Sequence, residues 1–417
     1  MTETKPFTIS KQLVYQAWLG VKANKGSAGI DDQSVTDFEA NLGRNLYMLW
    51  NRMSSGSYFP PPVMRVEIQK KDGGTRPLGV PTVADRVAQT VVKMIVEPVV
   101  EPVFHENSYG YRPSRSAYHA LAVARKRCWQ RDWVIDLDIK GFFDNLDHEL
   151  VMRAVKHHIK DRWVLLYIKR WLEAPVMDGD KMVEKEAGKG TPQGGVISPL
   201  LANLFMHYAF DHWLTRNISG VWFERYADDA LIHCRTREEA EYVLEAVRDR
   251  LLECGLTLHP TKTKLVYCKD SSRQGEHENM TFDFLSYTFR PRLIRNRYGK
   301  FYVNFLPAVS SAAVQDFRNT IKGLEIPTKK RGCGLLEIAR EINPRVRGWI
   351  GYFGRFYASM AENALYYVED TLVRWAMGKY KKLKGRKAKA GRWLASIAKR
   401  VPMFMVHWQI CQKPTVG

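Results

Sequence analysis

Apolar positions recur along this chain at two spacings. From Trp133 to Ile139 (WVIDLDI) they alternate with acidic residues, the period of a β-strand. That alternation puts Asp136 and Asp138 on one face and Trp133, Ile135, Leu137 and Ile139 on the other. Val221 to Cys234 (VWFERYADDALIHC) reads as two apolar arms around an acidic turn, and Arg65 to Gln69 with Arg76 to Val80 reads as a hairpin about Gly73-Gly74. Helical spacing governs Thr82 to Val96, which is expected to stop before Pro98, and Glu238 to Leu252, ending near Gly255. Strands interleaved with helices, without the regular unit of a doubly wound sheet, predict an α+β fold.

The 417 residues are enough for two or three domains, and 64 Lys and Arg against 44 Asp and Glu leave a net charge of +20. An excess that large favours a polyanionic partner. It is concentrated: from Ala308 onward there are 21 basic and 7 acidic residues, so +14 sits in the last quarter. There, Arg374 to Arg400 interleaves Trp375, Tyr380 and Trp393 with 11 cations, a pattern suited to nucleic acid, with core packing the expected job of the two tryptophans. The six cysteines form no C-x-x-C pair, which disfavours structural zinc. The N-terminus lacks an apolar leader and no long apolar run occurs, so a cytoplasmic, membrane-free protein is expected. Tyr58-Phe59-Pro60-Pro61-Pro62 punctuates the end of an N-terminal extension. The expected organisation is an extension over 1–60, a central domain over 61–290, a basic helical domain over 305–400 and a tail over 401–417.

Adjacent carboxylates at Asp228 and Asp229 repel one another. A hydrophilic turn would explain an isolated pair, but apolar arms on both sides set this one at the edge of a packed sheet, where a divalent cation offsets the repulsion. With acidic residues on a second strand, the set suits a site holding two Mg²⁺ for phosphoryl transfer, a chemistry shared by polymerases and nucleases. Gly190 to Gly195 (GTPQGG) has no Lys-Ser/Thr ending, so it is not a P-loop. It is either a loop whose backbone approaches a nucleotide or a tight turn before the apolar helix near Pro199.

These residues also carry a family resemblance. Val134 to Asp144 (VIDLDIKGFFD), Gly190 to Asn203 (GTPQGGVISPLLAN) and Tyr226 to Asp229 (YADD) resemble the palm motifs of reverse transcriptases encoded by bacterial group II introns. Asn24 to Asp32 is similar to the family's N-terminal extension, while Gly74 to Arg86 and Ser108 to Pro113 (SYGYRP) are similar to its fingers motifs. Leu256 to Lys264 resembles the motif after the palm hairpin, Phe284 to Phe289 (FLSYTF) the primer grip, and Gly348 to Phe353 the maturase, or thumb, domain. Where Ser286 stands the family usually has Gly.

The resemblance implies a right-hand polymerase, with fingers and palm followed by an α-helical thumb, that copies an RNA template onto a DNA primer from dNTPs using two Mg²⁺. It implies Asp138, Asp228 and Asp229 as metal ligands and Phe143 as the guard of the sugar 2′ position, five residues after Asp138. Counting from Asp136 instead reaches Gly141, so Asp136 is read as a supporting or merely structural carboxylate. It further implies triphosphate contacts from Lys70 and Arg76, a nucleotide contact from Gln193, and Lys262 as proton donor to pyrophosphate. No Cys/His cluster follows the thumb region, so a member without the zinc-dependent endonuclease is expected. A maturase that binds intron RNA without polymerising, or a domesticated relative, is the alternative.

Overall fold

A computed structural model of the chain describes residues 5–69, 74–183, 186–273 and 275–411, in two compact units that divide between Val266 and Tyr267. The first unit opens with helices at Lys11–Asn24, Val35–Ala40 and Leu42–Ser55. Ser10 caps the first by accepting the Leu13 N–H, and Ser34 forms a capping box with Asp37 on the second. Trp18 stacks on Phe38 at their centre.

The strands of this unit are β1 (Val63–Gln69), β2 (Thr75–Val80), β3 (Trp133–Leu137), β4 (Val176–Asp178), β5 (Lys181–Val183), β6 (Trp222–Tyr226), β7 (Asp229–Cys234) and β8 (Lys264–Tyr267). They form two four-stranded sheets, ordered β2-β1-β4-β5 and β6-β7-β3-β8. The expected hairpin is β1 with β2, antiparallel, Met64 opposite Val80 and Gln69 opposite Thr75. In the second sheet the two acidic segments are neighbours: β3 pairs antiparallel with β7, Leu137 opposite Ala230.

One expectation needs correction. The helix Val83–Val100 runs through Pro98 rather than stopping before it. Proline removes one hydrogen bond there, but Val96 and Val100 are fully buried, and the packing of that face carries the helix another turn. The alternation expected of β3 holds from Ile135 onward. Trp133, Val134 and Ile135 are all buried, so the first half of β3 has no solvent face, while Asp136 and Asp138 are half-buried and share the face of Val134.

In the second unit β9 (Phe282–Phe284), β10 (Tyr287–Arg295) and β11 (Phe301–Val309) form a sheet ordered β11-β10-β9. Leu285 and Ser286, the two residues between β9 and β10, have φ of +51° and +67°. A hairpin turn with both central residues in the left-handed region favours Gly at the second, which is where Ser286 stands. The helices Ser311–Gly323, Leu335–Phe353, Ala358–Lys379 and Lys387–Arg400 follow. Trp349 stacks on Phe317, and Trp375 is wholly buried with its indole N–H on the Lys330 carbonyl, so Trp375 is core as expected. Trp393 is half-buried beside Tyr380. The cations Lys387, Lys389, Arg392, Lys399 and Arg400 face solvent. Residues 401–408 remain tied in, for Met405 and Trp408 are buried and Glu369 bonds His407 and Trp408 at 3.0 Å each. Among the described residues no helix is long and apolar enough to cross a membrane.

Candidate active site

Tyr226 pairs with Asp229 across β6 and β7, which leaves Ala227 and Asp228 as a two-residue turn. Ala227 holds φ at +60°, a conformation rarely adopted outside Gly, Asn and Asp. Gly110 fits against this turn because it has no side chain: a β-carbon there would lie 2.4 Å from the Ala227 nitrogen. The turn projects Asp228, half-buried, and Asp229, exposed.

Asp138 follows the last residue of β3 and is half-buried. The His259 N–H donates to its carbonyl at 2.8 Å, and Thr263 Oγ1 bonds both its backbone N–H and its carbonyl at 3.2 Å. The strand bearing Asp138 is thereby fastened to the segment bearing Lys262. The carboxylates feel one another. Although Asp229 is exposed, the protein packed around its carboxyl, followed by the charges of Asp228 and Asp138, pushes it up to about 7, while the Lys262 ammonium works the other way. Asp228 is also raised, chiefly by burial and further by Asp138, with Arg76 opposing. Asp138, Asp228, Asp229, Arg76 and Lys262 therefore share one electrostatic neighbourhood.

The glycine-rich loop runs beside it. Arg76 Nε donates to Gln193 Oε1, and the Gly79 N–H donates to the Gln193 carbonyl, so loop and β2 are joined twice. On its other side the Thr191 N–H bonds the Phe143 carbonyl and the Gly190 N–H the Leu146 carbonyl, both at 2.9 Å. Phe143 is 7% exposed, in a short 3₁₀ turn with its ring edge-on to Phe142. Asp136 lies on β3 opposite Leu231. Lys70 lies outside the described residues. Among the described residues no three His, Cys, Asp or Glu side chains converge as a ready-made metal cage.

The expectation of wholly apolar arms around the acidic turn missed two buried charges. Glu224 and Arg225, adjacent on β6, are both inaccessible to solvent. Glu224 meets Arg127 at 2.8 Å and His233 at 2.6 Å, while Arg225 points to the opposite face and is paired with Asp211. The signal was present, since a strand pattern of apolar residues interrupted by Glu-Arg asks for buried partners, but those partners lie far off in sequence.

Carboxylates held this way on neighbouring strands of a four-stranded sheet, with a hairpin-bearing second sheet alongside, place the chain in the α+β right-hand polymerase class. Residues 68–289 match the family described as reverse transcriptase (RNA-dependent DNA polymerase), and residues 314–393 match the group II intron maturase-specific domain. The chain belongs to the group II intron-encoded reverse transcriptase/maturase family, whose members bind RNA and generally rely on divalent metal. It is 34% identical to protein YkfC of Escherichia coli over 66% of this chain and 78% of that one. It is also 34% identical to the group II intron-encoded protein LtrA of Lactococcus lactis, over 48% of this chain and 33% of LtrA, so the match spans a third of that relative's length. A solved structure of Candida albicans telomerase with a fragment of telomeric RNA aligns at a TM-score of 0.48 and 11% identity, covering 91% of this chain and 68% of the other.

Proposed function

We propose that this chain is an RNA-directed DNA polymerase that extends a primer 3′-hydroxyl with dNTPs on an RNA template, and that it also binds group II intron RNA to assist splicing and mobility. One observation carries the reading: Asp228 and Asp229, on the turn between two strands, lie within electrostatic reach of Asp138 at the end of the neighbouring strand, beside Arg76 of the β1–β2 hairpin and a glycine-rich loop.

Asp138, Asp228 and Asp229 are the groups that would hold two Mg²⁺. Their donors are hard oxygens, and Mg²⁺ is commonly bound by one or two carboxylates with substrate phosphates completing the shell. When bound, the ions would activate the primer hydroxyl and neutralise charge on the phosphates. Around them, Arg76, with Lys70 beyond the described residues, would grip the triphosphate, and Gln193, oriented by Arg76, would contact the incoming nucleotide. Phe143, anchored through its carbonyl to Thr191, would crowd the sugar 2′ position. Lys262 is exposed and would give its proton to the leaving pyrophosphate. The residues after 305 would serve as thumb and RNA-binding surface, through the cations of Lys387–Arg400. We place this activity in the cytoplasm.

Primer extension on an RNA template with Mg²⁺ and dNTPs tests the reading. Extension by the wild type that vanishes in Asp228→Ala, with RNA binding retained, is expected. A folded wild type that binds RNA tightly and extends nothing would leave a splicing cofactor without polymerase activity.

A further inference from the structure

A backbone in the left-handed region needs to be held there when its residue is alanine, and the turn that projects Asp228 and Asp229 begins with one. The side chain that holds it is Arg225. Its Nη1 donates to the Ala227 carbonyl at 2.8 Å and to Asn203 Oδ1 at 3.0 Å. Nε donates to Asp211 Oδ1 at 2.7 Å, while Nη2 donates to Asp211 Oδ2 at 2.6 Å and Ser108 Oγ at 2.9 Å. All five guanidinium N–H groups are thus engaged, in a site closed to solvent.

The partners are themselves fixed. Asp211 ends a π-helical turn, His207–Asp211, set between the α-helices Ser198–Met206 and His212–Asn217. Such a turn shifts the side chains that follow it relative to a continuous α-helix, and π-turns are often retained at functional sites. Asn203 gives its amide N–H to the Gly110 carbonyl at 2.7 Å, so the SYGYRP segment is tied to the same knot. The Asp211 side chain is closed to solvent, and both its oxygens accept from the arginine.

We infer that Arg225 is a positioning residue: braced by Asp211, Asn203 and Ser108, it clamps the Ala227 carbonyl and thereby sets where Asp228 and Asp229 point. The inference rests on the polymerase reading for its kinetic test but also has a test of its own. Lysine at 225 keeps the positive charge but lacks the planar fork, so it cannot meet Asp211 in bidentate fashion and reach the Ala227 carbonyl together.

The experiment compares wild type with Arg225→Lys and with Arg225→Lys/Ala227→Gly, the second change removing the side chain that disfavours the turn. Thermal unfolding, affinity for an RNA template–DNA primer, KM for dNTP, kcat and half-saturating Mg²⁺ are measured on each. Expected for Arg225→Lys are a kcat lowered tenfold or more and a half-saturating Mg²⁺ raised about fivefold or more. Template–primer affinity and the KM for dNTP stay close to wild type, and the double variant moves back toward it. A folded Arg225→Lys with wild-type kcat and Mg²⁺ requirement overturns the inference.

If Arg225→Lys does not fold, Ser108→Ala and Asn203→Ala, each removing one neutral acceptor, carry the same test with the same outcomes. If the wild type proves inactive, the polymerase reading fails alone. Mn²⁺ binding followed by water-proton relaxation then compares the same proteins: weaker binding in Arg225→Lys supports the clamp, and equal binding overturns it.

Discussion

Gly194 lies so close to Gly79 that a β-carbon on it would sit 2.3 Å from the Gly79 carbonyl oxygen, and its φ of +110° is a glycine conformation as well. The glycine-rich loop therefore touches β2 backbone to backbone, and that contact seats Gln193 beside Arg76. Gly194→Ala would have to displace one backbone or the other, at about 2–4 kcal/mol if the loop stays in place. The expected result is a markedly higher KM for dNTP with most of the global stability retained, because the loop yields first. Steady-state kinetics beside a thermal melt checks this, and an unchanged KM would count against a nucleotide-facing loop.

The β9–β10 turn carries a strain of its own. Ser286 occupies the left-handed position that glycine fills at lower cost, so Ser286→Gly should stabilise the chain by up to about 1 kcal/mol. Part of the gain is offset by the freer unfolded chain. The midpoint of denaturant unfolding should rise, and a lower midpoint would mean that the hydroxyl makes a contact worth more than the strain.

Asp229 gives a pH dependence with a definite direction. Its carboxyl is raised to about 7 by the protein packed around it and by Asp228 and Asp138, against 3.8 for an ordinary aspartate. Between those values the folded protein holds a proton that the unfolded chain has lost, so without metal the Asp229 contribution to stability declines as pH rises through that window and levels off above about 7. Its exposure to solvent softens the effect. Mg²⁺ requires the ionised form, so its binding should release protons near neutrality and raise the melting temperature more at pH 8 than at pH 6. Asp229→Asn should flatten both trends. Equal Mg²⁺-induced shifts at the two pH values would remove Asp229 from the metal-binding set.

Phe143 is held through its backbone to the loop and by its ring to Phe142, which leaves it little freedom to swing away from a sugar. Phe143→Ala should raise ribonucleotide incorporation relative to deoxyribonucleotide by roughly tenfold or more, an effect on the scale of a lost steric exclusion. Competition between rNTP and dNTP at one template position reads it directly, and unchanged sugar discrimination would assign the ring to packing alone.

The sequence shows more of the site than of its support. Alternating apolar and acidic residues locate β3, and an acidic pair between apolar arms locates the β6–β7 turn, because a strand and a two-residue hairpin are local events. Arg225 and Glu224 were harder to place, since a charge in a strand ordinarily reads as a solvent face. Their partners lie 14 residues away at Asp211 and 97 away at Arg127. Ala227 gave no hint of its left-handed backbone, for that conformation is imposed by Arg225 and Gly110 rather than by its own preference. Pro98 misled for the same reason: tertiary burial of Val96 and Val100 outweighed a local rule.

Of the two acidic residues in the β3 segment, Asp138 rather than Asp136 belongs with Asp228 and Asp229 in the proposed site. The direct measurement is single-turnover primer extension by Asp138→Asn and Asp136→Asn at saturating primer–template. Asp138→Asn should lose activity by about a thousandfold or more, and Asp136→Asn should stay within about tenfold of wild type. An active Asp138→Asn beside an inactive Asp136→Asn would contradict the site as assigned.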